Sequence, residues 1–242
     1  MRPRASIVMA TRNRAPQLAA ALESIEAQGY ENVEVVVVDD GSDDATPEVL
    51  AARPWVISER LERTGAYKPN PGALYNLAHS LASASVVVEQ SAEIFHATDC
   101  LGPLLKACKR GKAALATVWN GSPKDAAELR RSIEEENYDP PLSEEEYHYQ
   151  RRSEWKAFAR YAPALPTGCS PKSLQLYCGS QRPIPLFFLG AIRAKDFDEV
   201  GGYDETVARG ADGELAHRLC AAGVSWRFLT KAVGVHLRHG KR

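Results

Sequence analysis

The hydrophobic residues of this chain fall in short unbroken runs, and one run is followed directly by carboxylates. Residues 35–38 are four valines without polar alternation, which predicts a strand buried on both faces, as in a parallel sheet covered by helices. Asp39, Asp40, Gly41 and Ser42 come next. Because open α/β sheets bind ligands beyond the carboxyl ends of their strands, we expect both carboxylates at a site. The competing interpretation is a solvated acidic loop that caps the next helix.

Similar runs and stripes of apolar residues at helical spacing extend over most of the chain. They predict strands at residues 5–10, 33–39, 55–58, 86–88, 113–119, 186–192 and 225–229. They predict helices at residues 16–29, 46–52, 73–84, 99–110 and 212–222. The βαβαβ order at the start is that of a mononucleotide-binding half of an α/β fold.

The pattern is lost between residues 120 and 185, where charge runs, prolines and aromatic residues are interleaved. Helical pieces are predicted at residues 125–136 and 143–160. The segment is too long and too polar for a core connection, so we interpret it as an insertion or lid. Its charge runs are interpreted as solvated helix faces.

Composition narrows the class of protein further. The 242 residues suit one large α/β domain, and a net charge of −1 gives no global field for nucleic acid or an anionic membrane. The five cysteines form no C-x-x-C pair, which favours a reducing compartment. No signal peptide or membrane-spanning segment is predicted, so we expect a cytoplasmic location.

Four short motifs occur in order, each after a strand or at a helix start. They are T-R-N-R at residues 11–14, D-D-G-S-D-D at 39–44, N-P-G-x-x-x-N at 70–76, and G-G-Y-D-E at 201–205 followed by an acidic helix start at 212–214. With these motifs the chain resembles the family 2 inverting glycosyltransferases of the GT-A fold, over residues 1–119 and 186–239. Each motif alone is weak, but four in order are specific.

The resemblance implies a single GT-A domain over residues 1–242. It implies a Rossmann-like mixed, mostly parallel sheet flanked by helices, with a helical insertion on the acceptor side. Residues 1–119 would form the nucleotide-binding half, 120–185 the variable insertion, and 186–242 the acceptor and catalytic half. The substrate and nucleotide site would contain Thr11, Arg12, Asn13, Arg14, Asp39, Asp40, Asn70, Asn76, Gly202 and Glu214.

The resemblance also implies a divalent cation, Mn²⁺ or Mg²⁺, that neutralises the diphosphate leaving group. The family has an acidic D-x-D after the fourth strand, and this chain departs from it with Ser91-Ala92-Glu93. Glu93 is the first ligand candidate, and His236 matches a histidine that follows the last strand in related enzymes, with His239 as the reserve candidate. A lone histidine is otherwise more often a surface or core residue.

Inversion is a single displacement assisted by a general base, and by the resemblance that base is Asp212. The competing interpretation is that Asp212 only caps a helix whose dipole also suits Glu214.

These observations lead to one predicted function and one alternative. The prediction is transfer of a sugar from a nucleotide diphosphate sugar, UDP in particular, to a hydroxyl of a glycan, lipid-linked or protein acceptor, with no nucleic acid partner. A dinucleotide-dependent oxidoreductase is disfavoured because no G-x-G-x-x-G follows the first strand, and a nucleotidyltransferase because residues 11–14 lack glycine. The alternative is a nucleotide-sugar-binding or scaffolding protein without turnover.

Overall fold

Among the described residues, eight strands form one mixed sheet in the order β3-β2-β1-β4-β7-β6-β8-β5. The computed structural model describes residues 4–63, 70–96, 98–121, 188–207 and 211–237. The strands are β1 (Ala5–Thr11), β2 (Val33–Asp39), β3 (Val56–Arg60), β4 (Val86–Gln90), β5 (Ile94–His96), β6 (Lys112–Gly121), β7 (Leu189–Arg193) and β8 (Ser225–Leu237). The described helices are α1 (Ala15–Glu26), α2 (Thr46–Ala51), α3 (Pro71–Leu81), α4 (Leu101–Ala107), α5 (Ala194–Glu199) and α6 (Ala211–Ala221).

The valine run of β2 is buried on both faces, as its sequence predicts. Val35 and Val37 pack in a cluster with Leu18 of α1, whereas Val36 and Val38 pack on the opposite face with α3. Alternate residues of a strand point to opposite faces, so an unbroken apolar run fits only a strand that helices cover on both sides. β1 pairs in parallel with β2 and β4, and β2 pairs in parallel with β3.

The second half of the sheet is where antiparallel pairing enters. β7 is antiparallel to both β4 and β6, while β6 and β8 are parallel and β5 is antiparallel to β8. The predicted class, a mixed GT-A-like sheet flanked by helices, is therefore confirmed. On one face α1 and α4 cover the strands, and α3, α5 and α6 cover the other.

The sequence pattern was wrong in several details of this second half. The short strand β5 was not predicted, because three residues carry too little periodicity. The last strand was predicted to end at residue 229, but β8 continues to Leu237, with a register irregularity between Ala116 and Thr117 of its partner β6. The helix predicted over residues 99–110 is the shorter α4.

Other predictions fall outside the described residues or concern single groups. The insertion predicted over residues 120–185 lies almost entirely outside them. The described cysteines, Cys100, Cys108 and Cys220, are buried thiols rather than half-disulfides. Among the described helices, none is long and apolar enough to cross a membrane.

Candidate functional site

The loops after β1 and β2 are joined into one unit by Asn13. Its main-chain N–H donates to Ser42 Oγ at 2.9 Å, and its side-chain Oδ1 accepts from the Asp43 N–H at 2.9 Å. The φ angle of Asn13 is +52°, in the left-handed region that asparagine tolerates better than most residues. Asn13 therefore fixes the geometry at the carboxyl ends of these two strands.

Thr11 and Asp39 end neighbouring strands in register with each other. Both are buried, at 4% and 1% exposure. Asp39 Oδ1 accepts from the N–H and hydroxyl of Ser42, and Arg60 Nε lies 3.9 Å from Oδ2. Within the described residues, Thr11 Oγ1 and Asp39 Oδ2 have no hydrogen-bond partner. Buried polar atoms of this kind cost about 1–3 kcal/mol each unless a ligand satisfies them.

Asp40 is held by an arginine that the motifs did not indicate. Arg63 Nη2 donates to Asp40 Oδ2, and Arg63 Nε lies 3.3 Å from Oδ1 and 3.1 Å from the Asp40 carbonyl oxygen. Gly41, the next residue in the loop after β2, has a φ of +62°, and a Cβ there would lie 3.0 Å from the Leu61 carbonyl oxygen. The turn that aims Asp40 thus requires glycine.

The Arg14 side chain extends from the start of α1 to the Ser91-Ala92-Glu93 triplet after β4. Its main-chain N–H donates to Thr46 Oγ1 at 3.2 Å, which fixes the backbone. Its Nε donates to Glu93 Oε1 at 2.8 Å, and its Nη1 to the Asn13 carbonyl oxygen at 3.0 Å. The side chains of Arg14 and Glu93 are only 9% and 14% exposed, so this ion pair is largely shielded from water.

The pairing of β5 with β8 places the main chains at Glu93 and His236 next to each other. The Leu237 N–H donates to the Glu93 carbonyl oxygen at 2.9 Å, and Ile94 is in register with His236. The His236 ring also meets the Phe188 ring edge-on, with centroids 5.8 Å apart. Within the described part of the chain, no cluster of three His, Cys, Asp or Glu side chains is arranged to hold a metal ion.

Asn70 and Asn76, which the motifs predicted at the nucleotide, both hold the loop of the G-G-Y-D-E motif. Asn70 caps α3 through the Ala73 N–H at 2.9 Å and donates to the Glu205 carbonyl oxygen. Asn76 accepts from the Tyr203 N–H at 2.8 Å and donates to the Tyr203 carbonyl oxygen at 2.9 Å.

Asn76 also donates to Glu205 Oε1 at 2.9 Å. Contact of either asparagine with a nucleotide stays a prediction.

Gly202 is packed against this asparagine. Its φ is +68°, and a Cβ there would lie 2.6 Å from Asn76 Oδ1. The second glycine of the motif is thus needed both for its backbone conformation and for the close approach of α3.

A buried polar network lies beneath the loop. Glu89 of β4 faces His79 Nε2 at 3.1 Å with one oxygen and accepts from the Tyr203 hydroxyl with the other. Burial raises the pKa of Glu89 to about 8 and lowers the pKa of His79 to about 3. Near pH 7 this pair is therefore a neutral hydrogen bond rather than an ion pair, and the Phe197 ring stacks on His79 at 3.7 Å.

Tyr75 connects the network to the acidic groups at the strand ends. Its hydroxyl donates to the Gln90 carbonyl oxygen at 3.0 Å. Burial and then the charges of Glu89, Asp212 and Glu93 raise the pKa of Tyr75 well above its ordinary value. Asp212 is thus close enough to Tyr75 for its charge to act on the Tyr75 hydroxyl, as do those of Glu89 and Glu93.

Asp212 lies in the first turn of α6, together with Glu214. Glu214, by contrast, pairs with Arg218 one turn along the helix, and Arg218 also donates to the Val200 carbonyl oxygen at 2.6 Å. Through this ion pair Glu214 stabilises the first turns of α6. Contact of Glu214 with substrate stays a prediction.

The sequence reasoning missed Arg63, Tyr75, His79, Glu89 and Tyr203 as members of this site. One of them left a signal, since a glutamate directly after three valines at residues 86–88 places a carboxylate in a buried strand. The contacts of the others join residues far apart in sequence, which no local pattern reports.

Comparison with protein families matches residues 6–158 to Glycosyl transferase family 2. No protein of curated function matches the sequence. Among solved structures, the mannosyltransferase PcManGT from Pyrobaculum calidifontis, in complex with GDP-Man and Mn²⁺, is similar at 20% identity and a TM-score of 0.61. That alignment covers 97% of this chain and 57% of the other.

TarS from S. aureus is also similar. Its residues 1–349 in complex with UDP-GlcNAc align at 13% identity and a TM-score of 0.64, covering 100% of this chain and 60% of the other. The same protein in complex with UDP aligns at 14% identity, and that alignment covers 98% of this chain and 61% of the other. The present chain therefore spans about three fifths of these solved proteins, and at these identities the likeness is one of fold.

Proposed function

The chain belongs to glycosyl transferase family 2, and from that premise we propose that it transfers a sugar from a nucleotide diphosphate sugar to an acceptor hydroxyl with inversion. One observation carries the proposal. Thr11 Oγ1 and Asp39 Oδ2 are buried at the carboxyl ends of adjacent parallel strands, without a hydrogen-bond partner within the described residues. A nucleoside with hydroxyl and imide groups would satisfy them.

Asp40 and its arginine belong to the same nucleoside end of the site. A carboxylate accepts from the imide N–H of uracil or from ribose hydroxyls. Arg63 fixes the direction of the Asp40 carboxylate and lowers the cost of burying its charge. A UDP-sugar is the proposed donor, and TarS, one of the similar structures, was determined with UDP-GlcNAc.

A divalent cation fits the residues beyond this point as a two-ligand site. Glu93, in the turn before β5, would offer a carboxylate, and His236 of the neighbouring antiparallel strand β8 would offer an imidazole. Mg²⁺ and Mn²⁺ are commonly held by one or two protein ligands together with substrate phosphates, so the serine at position 91 does not prevent binding. When bound, the cation neutralises charge that develops on the diphosphate leaving group.

Asp212 is proposed as the general base. It lies in the first turn of α6, and its charge, like that of Glu93, acts on Tyr75, which supports a place beside the proposed cation site. There it would accept the proton of the acceptor hydroxyl while that oxygen attacks the anomeric carbon from the face opposite the diphosphate, which inverts the configuration.

The test is Asp212→Asn with Asp198→Asn as its matched control, because Asp198 is an exposed carboxylate on the neighbouring helix α5. Release of UDP and GDP from a panel of their sugars, with simple glycosides as acceptors, measures transfer. We expect Asp212→Asn to lose roughly 10²–10⁴-fold in kcat while its Kd for UDP stays within twofold of wild type. A variant that transfers at the wild-type rate would refute the assignment.

One observation favours the alternative of a binding protein without turnover. The first acidic position of the triplet is a serine, and Glu93 already pairs with Arg14. Calorimetric titration of UDP and GDP, with and without Mn²⁺, measures nucleotide binding. Together with the release assay it distinguishes a transferase from a binding protein without turnover. Nucleotide binding without release would favour the alternative. Whether the acceptor is a glycan, a lipid-linked sugar or a protein, and whether the chain acts in the cytoplasm, stay predictions.

A further inference from the structure

The ion pair between Arg14 and Glu93 places a positive charge at the proposed cation site. Its two side chains come from elements 79 residues apart in sequence, the start of α1 and the turn after β4. Both side chains are nearly buried, and the Arg14 backbone is held by Thr46, so the guanidinium is not a mobile surface group. A shielded pair of this kind interacts more strongly than an exposed one.

This arrangement opposes the binding of a cation alone. A divalent ion that approaches Glu93 meets a guanidinium whose Nε is 2.8 Å from the same carboxylate oxygen, and like charges at such a separation repel. Oxygen atoms of a diphosphate would remove this conflict. They can accept from the planar fork of the arginine, which matches phosphate geometry, and they can also bind the cation.

A diphosphate would lie within reach of Arg14. It links the nucleoside, proposed at Thr11 and Asp39, to the sugar, and it would share its cation with Glu93. Arg14 lies three residues after Thr11 in the chain, and its side chain contacts Glu93. Its Nη1 contact with the Asn13 carbonyl oxygen keeps the guanidinium between them.

We propose that Arg14 couples cation binding to nucleotide binding at Glu93. The inference rests on the proposed function. Without a nucleotide diphosphate the guanidinium holds Glu93, and a divalent cation alone binds weakly. A diphosphate attracts the guanidinium to its own oxygens, which makes Glu93 available to the cation. The family has two acidic residues in this triplet, whereas this chain has Ser91 and Glu93. Because only one carboxylate is present in the triplet, Arg14 and the cation compete for it.

The experiment titrates Mn²⁺ into wild type and Arg14→Gln and follows free Mn²⁺ by electron paramagnetic resonance, first alone and then with saturating UDP. Arg14→Gln is expected to bind Mn²⁺ alone about tenfold more tightly than wild type, since a nearby positive charge is removed. UDP is expected to strengthen Mn²⁺ binding about tenfold or more in wild type and by a much smaller factor in the variant.

Three further variants make the outcome specific. Arg53→Gln removes the same charge from a pair with Glu23, 3.4 Å apart between α1 and the end of α2, and should leave both titrations unchanged. Glu93→Gln should abolish the tight Mn²⁺ binding that wild type shows in the presence of UDP. Arg14→Lys keeps the charge without the planar fork, so its Mn²⁺ affinity should lie between those of wild type and Arg14→Gln. If Arg14→Gln does not fold, as judged by thermal melting, the comparison of Arg14→Lys with wild type decides.

Equal or weaker Mn²⁺ binding by Arg14→Gln would overturn the proposal, because it would show that Arg14 only orients the carboxylate. UDP binding with the same coupling in both proteins would likewise refute the role of Arg14 while leaving the nucleotide function in place. Failure of the wild type to bind UDP, with or without Mn²⁺, would instead refute the nucleotide function.

Discussion

The buried pair of Glu89 and His79 predicts an unusual dependence of stability on pH. Burial raises the pKa of Glu89 from 4.5 to about 8, so between these values the folded protein holds a proton that the unfolded chain has released. Stability therefore falls as pH rises through this window. Burial lowers the pKa of His79 from 6.5 to about 3, so its contribution rises with pH between 3 and 6.5.

The two effects oppose each other between pH 4.5 and 6.5, and above pH 6.5 only Glu89 contributes. One bound proton changes the free energy of unfolding by about 1.4 kcal/mol per pH unit. From pH 6.5 to 8 the pair should therefore cost the protein about 2 kcal/mol.

Glu89→Gln tests this reasoning because glutamine resembles the protonated acid. Its oxygen can still accept from the Tyr203 hydroxyl, and its amide can donate to His79 Nε2. Urea denaturation at pH 6.5, 7.2 and 8 should show similar stabilities at the lowest pH. At pH 8 the variant should exceed wild type by about 2 kcal/mol.

The control is Glu34→Gln. Burial acts to raise the pKa of Glu34, but hydrogen bonds from Ser6 and Ser83 outweigh it and lower that pKa. The contribution of Glu34 is lost only as pH falls below about 4.5, so this variant should shift the profile without changing its slope above pH 6.5. Parallel profiles for Glu89→Gln and wild type over the same range would refute a protonated Glu89.

Three other substitutions follow from the contacts around the nucleoside and the G-G-Y-D-E loop. Asn76→Ala leaves both main-chain polar groups of Tyr203 without the asparagine, and should lower the free energy of unfolding by roughly 2 kcal/mol, measured in urea. Gly202→Ala combines a φ of +68° with a Cβ 2.6 Å from Asn76 Oδ1, so it should cost about 1–2 kcal/mol or more; a melting temperature equal to wild type would contradict this. Arg63→Ala should weaken UDP binding about tenfold or more, because the buried carboxylate of Asp40 loses its partner, and calorimetry would show an unchanged Kd if Asp40 plays no part.

The sequence by itself determined the architecture of the first half and the end of the sheet at which the proposed site lies. Unbroken valine runs report burial on two faces, and the turn residues that follow them report where strands end. Both are local properties of the chain, and hydrophobic periodicity reads them directly. Thr11, Asp39 and Asp40 were therefore placed at strand ends correctly, as was Asp212 at a helix start.

The tertiary structure decided which partners these residues have. Arg14 meets Glu93 across 79 residues, and Asn76 meets Tyr203 across 127. Such contacts follow from strand order, in which β4 lies beside β1 and antiparallel β7 brings the G-G-Y-D-E loop back to α3. A pairwise contact between distant residues leaves no periodic trace in a single sequence.

The resemblance to the family had paired Glu93 with His236 as metal ligands, whereas no local pattern predicted the pairing of β5 with β8 that places their main chains next to each other. Strand β5 is too short to be recognised by periodicity, and its place beside β8 depends on backbone hydrogen bonds to a distant strand. The residues of the proposed site are thus encoded by local motifs. The environment of these residues, including the arginines that pair with Asp40 and Glu93, is set by the spatial order of the strands in the sheet.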